Sequence, residues 1–208
     1  MRLIDWNIQW GRDADGIVDL PRTIAAARQL SDFDVLCVQE VTRGFDALPG
    51  RPGPDQFAEL AALLPGYTIV DAIGADLPAI RPGAPRRQFG NAIATRLPVG
   101  RVLRQSLPWP ADAGAPSMPR VALDIELRAP LGWLRVVTTH LEYYSARQRL
   151  AQVDALRDRH REACAHADHP PPAATADGPF RATGQPQHAI GRPPAPARTR
   201  PHPWPTVS

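Results

Sequence analysis

At 208 residues with 43% apolar side chains, the chain can build one sizeable core and is too short for two ordinary domains plus a linker. Its formal charge of +3 comes entirely from the stretch beginning at Pro170, where four arginines face one acid. Residues 1–169 are therefore neutral and give little support to a broad polyanion-binding surface.

Leu3 to Ile8 reads as a short buried strand ended by Gly11. Asp19 followed by Pro21 marks a helix start, continued by Ile24 to Leu30. Val35 to Val38 is a continuous apolar run, the pattern of a strand buried on both faces. Residues 42–54 read as loop. Asp55 caps a second helix with Phe57, Leu60, Leu63 and Leu64 on one face, stopped by Pro65-Gly66. Tyr67 to Val70 is a strand, and Gly74 to Arg87 a Pro/Gly-rich loop whose Arg81, Arg86 and Arg87 could meet phosphate or simply face solvent.

Ala92 to Ala94 and Val99 to Leu103 are strands around a turn at Pro98. In Val121 to Leu127 every second residue is apolar, so Val121, Leu123, Ile125 and Leu127 share a face. A turn at Pro130 to Gly132 leads to a strand from Trp133 to Thr139. Ser145 caps a long helix carrying Leu150, Val153 and Leu156. Helices between strands, then a run of strands, combine α/β order with an antiparallel meander.

Eleven prolines fall within the 39 residues from Pro170 to Ser208. That composition cannot bury enough apolar surface to offset ordering entropy, so a domain over 1–169 and a disordered Pro/Arg-rich tail over 170–208 are expected. No apolar run approaches the ~18 residues of a membrane span. Cys37 and Cys164 lack metal-type spacing, and no signal-peptide layout opens the chain. A reduced, cytoplasmic setting is expected, and no protein partner is indicated.

Asn7 ends the first strand and Glu40 the second, at the carboxyl edge where α/β sheets collect functional groups. An amide and a carboxylate there suit Mg²⁺, a hard ion that keeps several waters. Taken singly, Asn7 also fits a strand-ending turn and Glu40 a solvated acid. His140 ends a later strand and fits a structural or a catalytic role. Asn91, in Gly90-Asn91-Ala92-Ile93, fits a turn or a site position.

Together these segments say more. Trp6-Asn7-Ile8 with Gly11, Gln39-Glu40, Gly90 to Ile93 followed by Arg96-Leu97-Pro98, Thr139-His140-Leu141, and Arg149 with Gln152 occur in order. This set resembles the endonuclease/exonuclease/phosphatase superfamily over residues 2 to 160. The resemblance implies a two-sheet α/β sandwich of the DNase I-like type. It also implies hydrolysis of phosphate esters, nucleic acid among the possible substrates, with Mg²⁺ or alternatively Mn²⁺. Glu40 would be a metal ligand, Asn7 would support the metal or the attacking water, His140 would bind the scissile phosphate, and Asn91 would lie on the substrate side.

Two later motifs of that superfamily, Gly-Asp-x-Asn and Ser-Asp-His, are not found in this sequence. Asp168-His169 follows His140 too closely to stand for the second. Gln187 to Gly191 resembles the lead-in to the first, then gives way to Arg192-Pro193-Pro194. The expectation is a sandwich whose second half is incomplete, by truncation, deletion or frameshift near Gly191. The apolar face of Val121 to Leu127 should then be poorly covered. Function divides between an impaired metal-dependent phosphoester hydrolase and an inactive fragment with at most residual metal or phosphate binding. A basic-tail nucleic-acid-binding module is a minor third reading.

Overall fold

A computed structural model describes residues 1–53 and 55–169. Among the described residues, seven strands and three α-helices follow one another as β1 (Leu3–Asn7), α1 (Leu20–Leu30), β2 (Val35–Arg43), α2 (Gln56–Leu63), β3 (Thr68–Leu77), β4 (Arg87–Thr95), β5 (Val99–Ser106), β6 (Val121–Ala129), β7 (Gly132–Thr139) and α3 (Ala146–Asp168). One sheet has the order β1-β2-β4-β3 and the other β5-β6-β7. Among the described residues only β1 and β2 run parallel, joined through α1. The expected α/β two-sheet sandwich is the observed architecture. The expectations for 170–208, including a break near Gly191, lie outside the described residues.

Two apolar layers hold these elements together. On the outer face of the first sheet, Leu20, Ile24 and Ala27 of α1 and Phe57 and Leu60 of α2 pack on Leu36, Val38 and Val41 of β2. Both helices start where the sequence places them. The Asp19 carboxylate accepts from the Arg22 amide at 2.8 Å, and Asp55 accepts from the Ala58 amide at 3.1 Å.

Between the sheets, Val35 and Cys37 of β2, Val70 of β3 and Ile93 of β4 meet Val121, Leu123, Ile125 and Leu127 of β6. That β6 face is buried, contrary to expectation, because the first sheet covers it directly. The Cys37 thiol lies in this layer, and burial with the nearby Asp5 charge pushes its pKa up to about 12.

Exposure occurs elsewhere. The register pairs Leu3 with Val35 and Asp5 with Cys37, so these β1 residues share the inner face. Leu3 and Asp5 are exposed while their partners are buried, because β1 extends past the edge of the second sheet. Among the described residues β1 pairs only with β2, and β7 only with β6.

Several strands outrun their sequence signals. β2 continues into the expected loop as far as Arg43, and β3 and β4 consume both ends of the expected 74–87 loop. Within that region Arg86 pairs with Asp76 at 2.8 Å, and Arg87 donates to the Pro78 carbonyl at 3.1 Å. In α3, Leu150 is exposed although its apolar character placed it on the packing face; the buried residues are Gln148 and Gln152. No helix among the described residues is long and apolar enough to cross a membrane.

Leu123→Ala should lower unfolding stability by about 2–5 kcal/mol through lost burial and a residual cavity. Leu150→Ala should change it by less than about 0.5 kcal/mol. Urea denaturation of both variants measures the contrast, and equal losses would contradict this layer assignment.

Candidate active site

The site begins with a break in the β2 ladder. Gln39 pairs with Asn91 and Val41 with Gly90, leaving Glu40 as an extra residue in a β-bulge with φ of 62°. Regular alternation would put Glu40 in the helix-facing row after Leu36 and Val38. The bulge gives that place to Val41, which is fully buried there, and releases Glu40 toward the cleft. Glu40 therefore lies inside the strand, not at its end as expected.

Neighbouring strands yield at the same level. A Cβ at Gly90 would overlap the Ala72 carbonyl, so only glycine permits this approach of β3 and β4. β3 shifts register between Ile73 and Ala75, and a Cβ at Gly74 would lie 3.0 Å from the Pro119 carbonyl oxygen. This close contact seats the residue before Arg120 against the first sheet. Arg120 itself precedes β6.

His140 follows the last residue of β7. Its Nδ1 lies 3.4 Å from a Glu40 oxygen and 3.2 Å from the Arg120 guanidinium. Burial and the Arg120 charge hold the imidazole pKa below its usual value, against the opposing pull of Glu40 and Glu142. Arginine can only donate, so the Arg120 contact requires Nδ1 to accept and leaves the ring proton on Nε2. Arg120 is in turn fixed by Glu142 at 3.2 Å, with both side chains buried.

Asn7 lies at the end of β1 and lines the same cleft as Glu40, Arg120 and His140. Its Oδ1 accepts from the Gln9 amide at 3.0 Å, which leaves one lone pair on that oxygen. Asn91 does not join this group. It is buried within β4, and its amide donates to the Val121 carbonyl at 3.1 Å, tying the two sheets together. It approaches His140 and Arg120 only across a small gap beside Gly90.

Sequence reasoning missed the supports. Gln39 donates to Asp5 at 2.6 Å and to Thr138 at 2.8 Å, joining β1, β2 and β7 beneath the site. Arg120 offered one local signal, a charge directly before an alternating apolar run. Glu142 offered its place two residues after His140. The Arg149 and Gln152 pair acquires a definite task. Arg149 donates to the carbonyls of Glu142 and Tyr143 at 2.9 and 2.8 Å, and the Gln152 oxygen accepts from the Glu142 amide at 2.8 Å. The first turns of α3 thus clamp the segment after His140.

Burial raises the Glu142 pKa, but the Tyr144 amide and the Arg120 guanidinium outweigh it and hold the carboxyl below its usual range. Its stabilising contribution is thus complete above the unfolded value of about 4.3. It is lost as pH falls through the lowered folded value. Glu142→Gln should cost about 3–5 kcal/mol at neutral pH by leaving Arg120 buried without its counter-charge. The gap from wild type should narrow in acid. Urea midpoints at about pH 7 and about pH 3 test this, and a pH-independent gap would contradict the assignment.

The sequence profile of the Endonuclease/Exonuclease/phosphatase family matches residues 6–171. Among solved structures, the chain is similar to the endonuclease/exonuclease/phosphatase from Beutenbergia cavernae DSM 12333, at 31% identity and a TM-score of 0.57, over 80% of this chain and 44% of that one. It is also similar to a family protein from Leptotrichia buccalis C-1013-b, at 15% identity and a TM-score of 0.52, covering 76% of this chain and 62% of that one. The human Nocturnin catalytic domain with bound sulfate matches at 19% identity and a TM-score of 0.52, over 81% and 61%. At such identities the last two establish fold alone. The chain spans less than two thirds of each of these three structures. No curated protein matches it significantly. By its sequence profile and its architecture, the chain belongs to the endonuclease/exonuclease/phosphatase family.

Proposed function

We propose that this chain is a divalent-metal-dependent phosphoester hydrolase working at a reduced rate. The observation that carries this reading is the convergence of Asn7, Glu40, Arg120 and His140 on one cleft, on the strength of a bulge that removes Glu40 from the apolar layer. We read the setting as cytoplasmic; the unpaired Cys37 and Cys164 support a reducing compartment.

The donor set fits Mg²⁺, with Mn²⁺ as the alternative. The Glu40 carboxylate retains some exposure, and the Asn7 amide oxygen has a lone pair to spare. A hard ion held by one carboxylate and one amide oxygen keeps waters and takes further oxygens from a phosphate. When bound, such an ion polarises a phosphoryl oxygen and stabilises the departing one.

The chain's own residues supply the rest. Arg120, oriented by Glu142, attracts phosphoryl oxygens. His140, neutral with its proton on Nε2, donates a hydrogen bond to developing negative charge. Asn91 holds the two sheets together behind these groups, which is a positioning role. Gln39, through Asp5 and Thr138, sets the spacing between Asn7 and His140.

A second reading, an inactive fragment that only binds metal or phosphate, is favoured by one feature. Among the described residues lining the cleft, Glu40 is the sole acid, and no cluster of three or more His, Cys, Asp or Glu side chains could hold an ion. With Glu40 committed to metal, no carboxylate there remains to accept a proton from water. General base catalysis contributes about 10²–10⁴-fold, so the rate should be lower by that order.

Purified chain with Mg²⁺ or Mn²⁺ should hydrolyse bis(4-nitrophenyl) phosphate slowly but measurably. Glu40→Ala and His140→Ala should each lower kcat/KM by at least about 10²-fold, and chelation should remove the activity. Turnover that survives both substitutions would refute the assignment. A complete lack of turnover, with phosphate binding retained, would favour the fragment reading.

A further inference from the structure

We propose that the organic part of the substrate is a planar aromatic group, received in the cleft beside Glu40, so that the preferred ligand is a small aromatic phosphoester and not a polymer. This rests on the phosphate-end reading given above for Glu40, Arg120 and His140.

The cleft has a volume of about 690 Å³, within the range that encloses a small organic molecule. Of the chain's five tryptophans, three tyrosines and five phenylalanines, six line this one space: Trp10, Phe45, Phe89, Trp109, Tyr143 and Tyr144. Trp109, Tyr143 and Tyr144 are 51%, 74% and 65% exposed. Exposed aromatic surface concentrated at a candidate catalytic centre has a use when a ligand covers it.

The two indoles are held with their N–H groups already satisfied. The Trp10 indole donates to the Pro49 carbonyl at 2.9 Å, and the Trp109 indole to the Ser117 hydroxyl at 2.9 Å. Ser117 is itself fixed by Gln148 of α3 at 3.2 Å. Tyr143 and Tyr144 pack edge to face with centroids 5.0 Å apart. With their N–H groups occupied inside the protein, the two indoles offer the cleft their ring faces, and faces recognise other rings by stacking.

Backbone strain falls at the same place. Four non-glycine residues have left-handed φ among the described residues, and Gln9, Trp10 and Glu40 all line this cleft. Trp10 is held there by a 2.8 Å hydrogen bond from Gln56 to its carbonyl, and Gln56 is fully buried beneath α2's first turn. Strain kept in place by surrounding contacts collects at working sites.

Charge sets the size of the ligand. Arg120 is the only arginine among the described lining residues. It can meet one phosphate, whereas a nucleic-acid strand calls for a row of cations along its backbone. Non-aromatic apolar side chains line it at Leu48, Ala75, Leu77, Met118 and Pro119, but six rings stand beside them, three of these largely exposed, which favours an aryl group over an alkyl chain.

Non-hydrolysable phosphonates test the cleft apart from catalysis. Titrations of the full chain with Mg²⁺, followed by calorimetry, would compare phenylphosphonate, hexylphosphonate, methylphosphonate and a short single-stranded oligonucleotide. Phenylphosphonate should bind at least about 10-fold more tightly than the methyl and hexyl compounds, the order of one aromatic stacking contact. Trp109→Ala and Tyr144→Ala, both at exposed positions, should each remove most of that preference. Equal affinity for phenyl and methyl, or no phosphonate binding at all, would overturn the proposal. So would tighter hexyl binding, which would indicate an acyl-chain site, or tighter oligonucleotide binding with steep salt dependence, which would indicate nucleic acid. A phenyl preference without turnover would refute the hydrolase reading and leave the cleft assignment standing. Turnover without a phenyl preference would do the reverse.

Discussion

One irregularity organises this molecule: the bulge at Glu40. A β-strand that faces helices on one side and a second sheet on the other has no free direction for a carboxylate. Leu36 and Val38 occupy the helix side, and Val35 and Cys37 the inter-sheet side. One extra residue between Gln39 and Val41 resolves the conflict. Val41 resumes the apolar row, and Glu40 leaves the ladder into a cleft where its carboxylate retains some exposure. At the same level Gly90 admits the close approach of β3, and Gly74 that of the Pro119 backbone, since a Cβ at either would press on that neighbour.

Around that point the fold builds outward through buried polar contacts. Glu142 sets Arg120, Arg120 sets the imidazole of His140, and the first turns of α3 set Glu142. Arg120 and Glu142 are removed from water and satisfy each other, which is the condition under which such a network rigidifies instead of destabilising. The low helical apolarity of α3 follows from this. Its buried residues are two glutamines because its first turns serve as a polar clamp more than as a packing face.

Much of the fold was legible because its signals are local. Asp19 and Asp55 cap the helices they mark, the Val121 to Leu127 alternation is a strand, and Ser145 opens the last helix. Asn7, Glu40 and His140 were legible as members of an ordered set of motifs, and they share one cleft. What stayed hidden depends on contacts across the sheets. The bulge is a relation between β2 and β4 and leaves no periodic trace in Val38 to Thr42. Gln39 and Arg120 read as ordinary polar residues until β7 and Glu142 are placed beside them. The burial of β6 departs from expectation because its cover does not depend on the missing motifs: it comes from β2, β3 and β4. Leu150 misled for the opposite reason, an apolar side chain on a helix anchored by polar ones.

The central claim is that the bulge aims Glu40 at a bound cation and the phosphate it carries. Crystals of the chain grown with Mn²⁺ and inorganic phosphate, measured at the manganese edge, test it directly. Anomalous density against the Glu40 carboxylate, with Asn7 beside it and phosphate within reach of Arg120 and His140, is the predicted result. Manganese bound away from Glu40, or Glu40 folded back into the row of Leu36 and Val38, would contradict it.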